Sequence, residues 1–554
     1  MLSSHSILAG HTLPTREMNC LDHFMLKIYP KKTSAFIAIL CTTTTDHYTT
    51  FLSLAKAKNK INRDKIKTTI DFHSALLYLQ NKNLSELLFI DDPSVVTNSL
   101  IAKITESLTT NTRTSTIPSS KRILKPWITQ GLLRCIRNRN ELQKKARNDP
   151  YNEIAKLTYQ RYRNYCNNLI KKLRRKYNRE QITNAIKNNK LLWKNIKNIT
   201  YTNNSRTENL ELLQVKSSPI ESANFVNKYF ANIGRELAQN MVSGTNFLSK
   251  PLNKTPSLTS SMVLLETDES EVCSTLMNLR SDSAPGWDNI PTCFLKLARN
   301  EVVPIITHLA NLCFQKGAFP APLKKSIITP VHKGGDRDDV NNYRPISVLT
   351  AISKIIEKLI NTRLLQYLNK FDILSPSQFG FRQKKSTEDA VLALSSLVIE
   401  HLDKGNKCLA AFLDLRKAFD TVSIPILLHK LESIGVRGLP LALFSDYLSG
   451  RTQKVKLEQF VGEDADVSYG VPQGSVLGPT LFLIYINNLC NMKIINAKVF
   501  SYADDTAVVF TGKTWDDVKN SAEAGLALIA AWLKENLLTL NTNKTNYICF
   551  NIYN

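Results

Sequence analysis

From about residue 270 onward, the apolar positions of the chain switch between helical spacing and short unbroken runs. Ile352, Ile355, Ile356, Leu359, Ile360 and Leu364 recur every three or four residues and predict a helix whose stripe is core. Leu477 to Leu489 predicts a second amphipathic helix. Val518, Ala522, Leu526, Ile529 and Leu533 mark a third, opened by the capping-box pair Thr514 and Asp517 and running to about Glu535. Two stretches break this rhythm. Leu409-Ala410-Ala411-Phe412-Leu413 is continuously apolar, as a strand buried on both faces would be, and Asp414 ends it. In Val499–Phe510, two β-prone apolar runs flank Asp504-Asp505, which predicts a hairpin with both acids at its turn.

The first half is less regular. Leu52 to Ser120 accommodates two short helices, with the Thr/Ser-rich segment Thr105 to Ser120 as a linker. Leu169-Ile170-Lys171-Lys172-Leu173-Arg174-Arg175-Lys176-Tyr177 has helical spacing. Asn203 to Ser270 is polar and partly helical, with a hinge expected at Thr255 to Ser261.

Charge sharpens this picture. The 554 residues carry 72 Lys and Arg against 47 acids, a formal +25, which calls for a polyanionic partner. Residues 121–200 alone hold 22 basic residues against four acids, a net +18, with Trp127, Tyr159, Tyr162, Tyr165, Tyr177 and Trp193 interleaved. A solvated helical face normally mixes both signs, so this excess points to phosphate-backbone contact by Lys171, Lys172, Arg174, Arg175 and Lys176. Such contact gives affinity without sequence choice. The ten cysteines are scattered without a C-x-x-C pair, so neither a zinc module nor a disulfide framework is expected, and a reducing compartment fits. The longest early apolar run, Ala35–Cys41, is too short to span a bilayer. A nuclear or cytoplasmic protein with no membrane partner is the expectation.

The acids supply candidate chemistry. Adjacent carboxylates repel and raise each other's pKa, a conflict that a hard divalent cation removes. Asp414, ending a buried strand, supplies a third carboxylate for Asp504 and Asp505. Two cations about 3.5–4 Å apart in such a site would clamp the attacking and leaving oxygens of a phosphoryl transfer.

Phe412-Leu413-Asp414-Leu415-Arg416-Lys417-Ala418-Phe419-Asp420, Gly470-Val471-Pro472-Gln473-Gly474-Ser475 and Tyr502-Ala503-Asp504-Asp505 resemble the successive palm motifs of reverse transcriptases, in the variant of non-LTR, jockey-type retrotransposons. The likeness extends from Ala284 to Phe550. It implies an α/β fold, a right-hand palm and fingers behind a basic helical region, that adds deoxynucleotides to a DNA primer on an RNA template. Asp414 and Asp504 would bind two Mg²⁺ ions, with Mn²⁺ as a substitute, and Asp505 would support the site or reach a metal. Lys333 and Arg344, within Ile327–Asp336 and Asn342–Ser347, fall on the nucleotide's phosphates. Phe419 falls under the sugar as a barrier to a 2′-hydroxyl, while Gln473 and Gly474 fall beside the sugar and templating base. Arg382, in Ser377-Gln378-Phe379-Gly380-Phe381-Arg382, approaches template backbone. Lys544, in Leu540–Thr545, meets departing pyrophosphate. Asp420 reads as a helix-start cap, with Lys417 exposed. Ala284–Pro291, the turn that opens the domain, lies against template.

The resemblance also divides the chain. Residues 1–52, with Asp22-His23 and Asp46-His47, resemble the end of an apurinic-type endonuclease domain, here a remnant without the upstream catalytic residues. Residues 53–120 follow as a linker region, 121–200 as the RNA-gripping region and 201–270 as a connector. Fingers occupy 271–385 and palm 386–554, with no thumb before the end at Asn554. Two rival readings stay open: a related palm in an RNA-copying RNA polymerase or intron maturase, and an inactive truncated product that only binds nucleic acid.

Overall fold

A computed structural model describes residues 8–9, 25–26, 33–40, 49–56, 65–117, 125–186, 188–200, 211–242 and 258–552. The chain divides into two compact units, Met1–Thr68 with Thr114–Leu124, and Thr69–Arg113 with Lys125–Asn554. In the first, Thr33–Leu40 and Thr49–Lys56 pair as an antiparallel hairpin, Leu40 opposite Thr49. Both Asp-His pairs lie outside the described residues.

In the second unit, the strands Ala497–Tyr502, Asp505–Gly512, Lys407–Leu413 and Asn546–Phe550 form a sheet in that spatial order, every pair antiparallel. Both faces are covered, which is why the central strand is apolar from Cys408 to Leu413. Cys408 and Ala410 meet Val398 of the helix Thr387–Asp403 on one face. Ala411 and Leu413 join Val508, Phe510 and the helices Gly478–Cys490 and Trp515–Glu535 on the other. Full burial of each such Val, Leu or Phe contributes about 1.5–3 kcal/mol, so this sheet is a rigid base for what its ends carry. The expected helix around Ile352–Leu364 is Ala351–Lys370, in the same core.

A second sheet is built on the hairpin of Lys325–His332 and Tyr343–Val348, His332 opposite Tyr343. Arg451–Leu457 adds to it in parallel, and Ala465–Val467 and Phe460–Val461 pair with that strand. Residues 451–457 thus pair in the sheet built on Lys325–His332. Val455 and Leu457 are drawn there by a separate core with Ile328, Tyr343 and Phe230 of the helix Pro219–Val242. That helix lies within the expected connector and is part of this core.

The two short helices expected within Leu52 to Ser120 are present, and the expected linker Thr105 to Ser120 is corrected at its start, which is helical to Thr110. Phe72–Gln80 and Pro93–Thr110 are helices capped by Asp71 and Asp92, and Val96, Leu100 and Ile104 are fully buried in the main core. The end of the second expected hinge is docked, Leu258 N–H donating to Ser433 O and Met262 N–H to Gly435 O. Residues 130–199 form three helices, Gln130–Asn148, Glu153–Ala185 and Asn189–Ile199. The first two pack together, with Cys166 Sγ against Cys135 O at 3.3 Å.

Candidate active site

The sheet register assembles the acids. Thr506 stands opposite Leu413, so the next residues outward, Asp505 and Asp414, leave the same end of neighbouring strands. Tyr502 pairs with Asp505, leaving Ala503 and Asp504 as a two-residue turn. Ala503 has φ +57°, a left-handed conformation that costs a non-glycine residue about 1–2 kcal/mol. The surroundings hold it there. Buried Gln378 accepts from Ala503 N–H at 2.9 Å and from Gly380 N–H at 2.8 Å through the same Oε1. Phe379 N–H donates to Ser501 O, and Ser501 N–H to Ser377 O. Asp414 is tied from another direction: Asn541 donates through Nδ2 to Oδ2 at 2.6 Å and through its backbone N–H to Asp414 O.

Burial, then the charge of Asp414, raises the Asp504 carboxyl, with Arg344 and Lys333 opposing. Asp505 is exposed on its outer side, yet loss of water beneath it and the charges of Asp504 and Asp414 push it up too, against Arg344 and Lys544. Lys333 is pulled down by lost hydration and by Arg344 and Lys544. Three acids and three cations from distant segments thus share one electrostatic neighbourhood, and all six were named from the sequence. Hard carboxylate oxygens in mutual repulsion suit divalent cations. Among the described residues no three such side chains close into a complete metal cage.

The other expected site residues are placed as follows. Phe419 stacks on Phe482 with centroids 4.5 Å apart and meets the edge of Phe381 at 6.1 Å. Gln473 O accepts from Ser347 N–H at 2.7 Å, which fastens its loop to the fingers hairpin beside Gly474. Arg382 turns Nη1 back onto Leu374 O and Ser375 O, so it shapes its own turn. The turn Ala284–Pro291 packs inward, Trp287 Nε1–H donating to Pro322 O and Asp288 buried. Lys171, Lys172, Arg174, Arg175 and Lys176 lie on the helix Glu153–Ala185.

Two expectations are corrected. Lys417 is not free: Nζ donates to Asn341 O and Tyr343 O, bridging the palm turn to the fingers strand. Asp420 caps no helix; its Oδ1 accepts from Gln473 Nε2 at 2.7 Å. Gln378 and Asn541 lie inside stretches that carry the resemblance, but neither was given a role. Their roles rest on partners distant in sequence, Ala503 and Asp414, which the amides alone do not reveal.

Residues 331–551 match the family described as "Reverse transcriptase (RNA-dependent DNA polymerase)". Among curated proteins, the chain is similar to the probable RNA-directed DNA polymerase from transposon X-element of Drosophila melanogaster, 29% identical over 289 residues, 51% of this chain and 31% of that protein. It is likewise similar to the RNA-directed DNA polymerase from mobile element jockey of the same species, 30% identical over 301 residues, 53% and 32% of the two chains. A putative 115 kDa protein in type-1 retrotransposable element R1DM, also from Drosophila melanogaster, is 28% identical over 283 residues, 51% and 27% of the two chains. This chain spans about a third of the length of these relatives. The likeness is thus to polymerases of non-LTR retrotransposons.

Proposed function

We propose that this chain is an RNA-directed DNA polymerase of a non-LTR retrotransposon, extending a DNA primer with deoxynucleotides on an RNA template. The observation that carries the reading is the register of Leu413 against Thr506, which sets Asp414 and Asp505 side by side beneath the Asp504 turn. Asp414 and Asp504 would hold two Mg²⁺ ions (Mn²⁺ as a substitute), with Asp505 beside them. Bound there, the ions supply charge stabilisation to the attacking 3′-oxygen and the leaving pyrophosphate. Arg344 offers a planar fork, and Lys333 a point charge, to the nucleotide's phosphates. Lys544, whose charge is felt by Asp505, would meet the charge that departs with pyrophosphate. The Phe419 ring, fixed by Phe482, limits space under the sugar. The basic positions of Glu153–Ala185 hold template by its phosphates. No described helix is long and apolar enough to cross a membrane.

The test is Asp504→Asn in primer extension with Mg²⁺, run beside RNA filter binding. Loss of a carboxylate that nothing else replaces should lower extension by at least about a hundredfold and leave RNA binding intact. Extension at the wild-type rate would sink the assignment.

A further inference from the structure

Six residues beyond Asp414, Asp420 sends its carboxylate into the wall between the palm turn and the loop Gly470–Gly474. Oδ1 accepts from Gln473 Nε2, while Oδ2 is sealed from solvent with no hydrogen-bond partner. The loop is also fixed by its backbone to the residues on either side of this acid. Gly470 N–H donates to Val422 O and Val471 N–H to Phe419 O. Gly470 has φ +87°, and a β-carbon there would stand 2.9 Å from the Asp420 Cα. Behind the pair lies a cavity of about 40 Å³, lined by Asp420, Gln473, Gln453, Arg451 and Tyr469, large enough for ordered water. Burial pushes the Asp420 carboxyl up to about 6, with the Gln473 hydrogen bond and Lys417 opposing.

A carboxylate only accepts, whereas an amide has a donor end and an acceptor end of nearly the same shape. Gln473 must therefore turn Nε2 toward Asp420, which leaves Oε1 directed elsewhere. Without the acid both amide orientations would be populated. The backbone of the same loop is held by Ser347 N–H on Gln473 O, so the amide is oriented on a loop that is itself fixed.

We propose that Asp420 is a positioning residue for the incoming nucleotide, acting through Gln473 by fixing the orientation of its amide. This inference rests on the polymerase reading above. Asp420 does not touch the reacting atoms; its effect belongs in nucleotide binding, not in turnover.

Primer extension by the full chain, on a homopolymer RNA template with dTTP and Mg²⁺, tests it across wild type, Asp420→Asn, Gln473→Ala and the double variant. Asn is isosteric but offers a donor as well, so it no longer dictates the amide. Asp420→Asn should raise KM for dTTP about tenfold and change kcat less than about twofold. In the Gln473→Ala background the same substitution should have no further effect on KM, because partners that act as a unit are non-additive. An equal effect in both backgrounds, or a loss confined to kcat, overturns the proposal. If Asp420→Asn does not melt cooperatively, Gln473→Asn replaces it: withdrawing the amide by one methylene leaves the buried acid in place. KM should then rise similarly, and an unchanged KM refutes the inference. Dissociation constants for dTTP on the same proteins read the coupling without turnover. A wild-type chain that binds dTTP but extends nothing would therefore refute the polymerase reading separately.

Discussion

Gly380 presses against Ala503 in the turn that carries Asp504. A β-carbon on it would sit 2.9 Å from Ala503 Cα and Tyr502 C, and nearer still to the Ala503 nitrogen. These are backbone atoms that no side-chain rotation can move aside. Gly380→Ala must therefore displace the turn or its own loop. The expected outcome is a loss of at least about tenfold in primer extension, since small displacements of catalytic groups have large effects. RNA filter binding should be unchanged, and wild-type extension would show that the turn yields freely.

Phe419 has a packing role alongside its proposed place near the sugar. Phe419→Ala forfeits the stack on Phe482 and should lower stability by about 1–3 kcal/mol. Incorporation of GTP relative to dGTP should rise in the same variant. Unchanged discrimination in single-nucleotide extension would leave Phe419 with packing alone.

Lys430 is a buried cation under the palm, its ammonium donating to Tyr485 O and standing 4.6 and 4.9 Å from the rings of Tyr485 and Trp532. Those contacts return part of its lost hydration, yet burial still brings it down to about 7. A lysine lowered on folding binds fewer protons folded than unfolded. Stability from this site therefore rises with pH from about 7 to the unfolded value near 10.4, and the penalty is full below 7. Lys430→Met, similar in volume, should raise Tm by several degrees at pH 7 or below. That gain should shrink toward pH 10. Melting curves from pH 6 to 10 check it; a gain independent of pH would mean Lys430 is charged in the fold.

The basic helices predict a salt dependence. Replacing Lys171, Lys172, Arg174, Arg175 and Lys176 with Gln removes up to five phosphate contacts. At roughly 0.7 per phosphate of a single strand, the log–log salt slope should flatten by up to about 3.5, with little change in preference among RNA sequences. Filter binding over a salt series measures this, and an unaltered slope refutes the RNA-gripping role.

The palm sheet and its helices were legible because their patterns are locally unambiguous. Leu409–Leu413 ending at Asp414, and the acid pair between two apolar runs, each have few structural solutions. The capping pair Thr514 and Asp517 reappears as a capping box at the start of Trp515–Glu535. What escaped depends on distant partners. Thr105 to Thr110 looked like linker, yet the hydroxyls of Thr109 and Thr110 bond back to carbonyls one turn earlier and continue the helix. Arg451–Leu457 pairs with a strand more than a hundred residues upstream, a choice made by the Phe230–Tyr343 core and invisible in its own residues. Lys417 and Asp420 look like ordinary turn residues until their partners, Tyr343 and Gln473, arrive from elsewhere.

The central palm strand, Lys407–Leu413, finds both of its neighbours later in the chain, at Asp505–Gly512 and Asn546–Phe550. On the ribosome it emerges with two open edges and an apolar surface. About 130 further residues must follow before the second edge closes, roughly 7–30 s at ordinary rates of synthesis. Throughout that interval it can pair with another nascent chain. A cell making this protein therefore has to shield one heptapeptide for many seconds, and the yield of folded protein should depend more on chaperone supply than on the stability of the finished sheet.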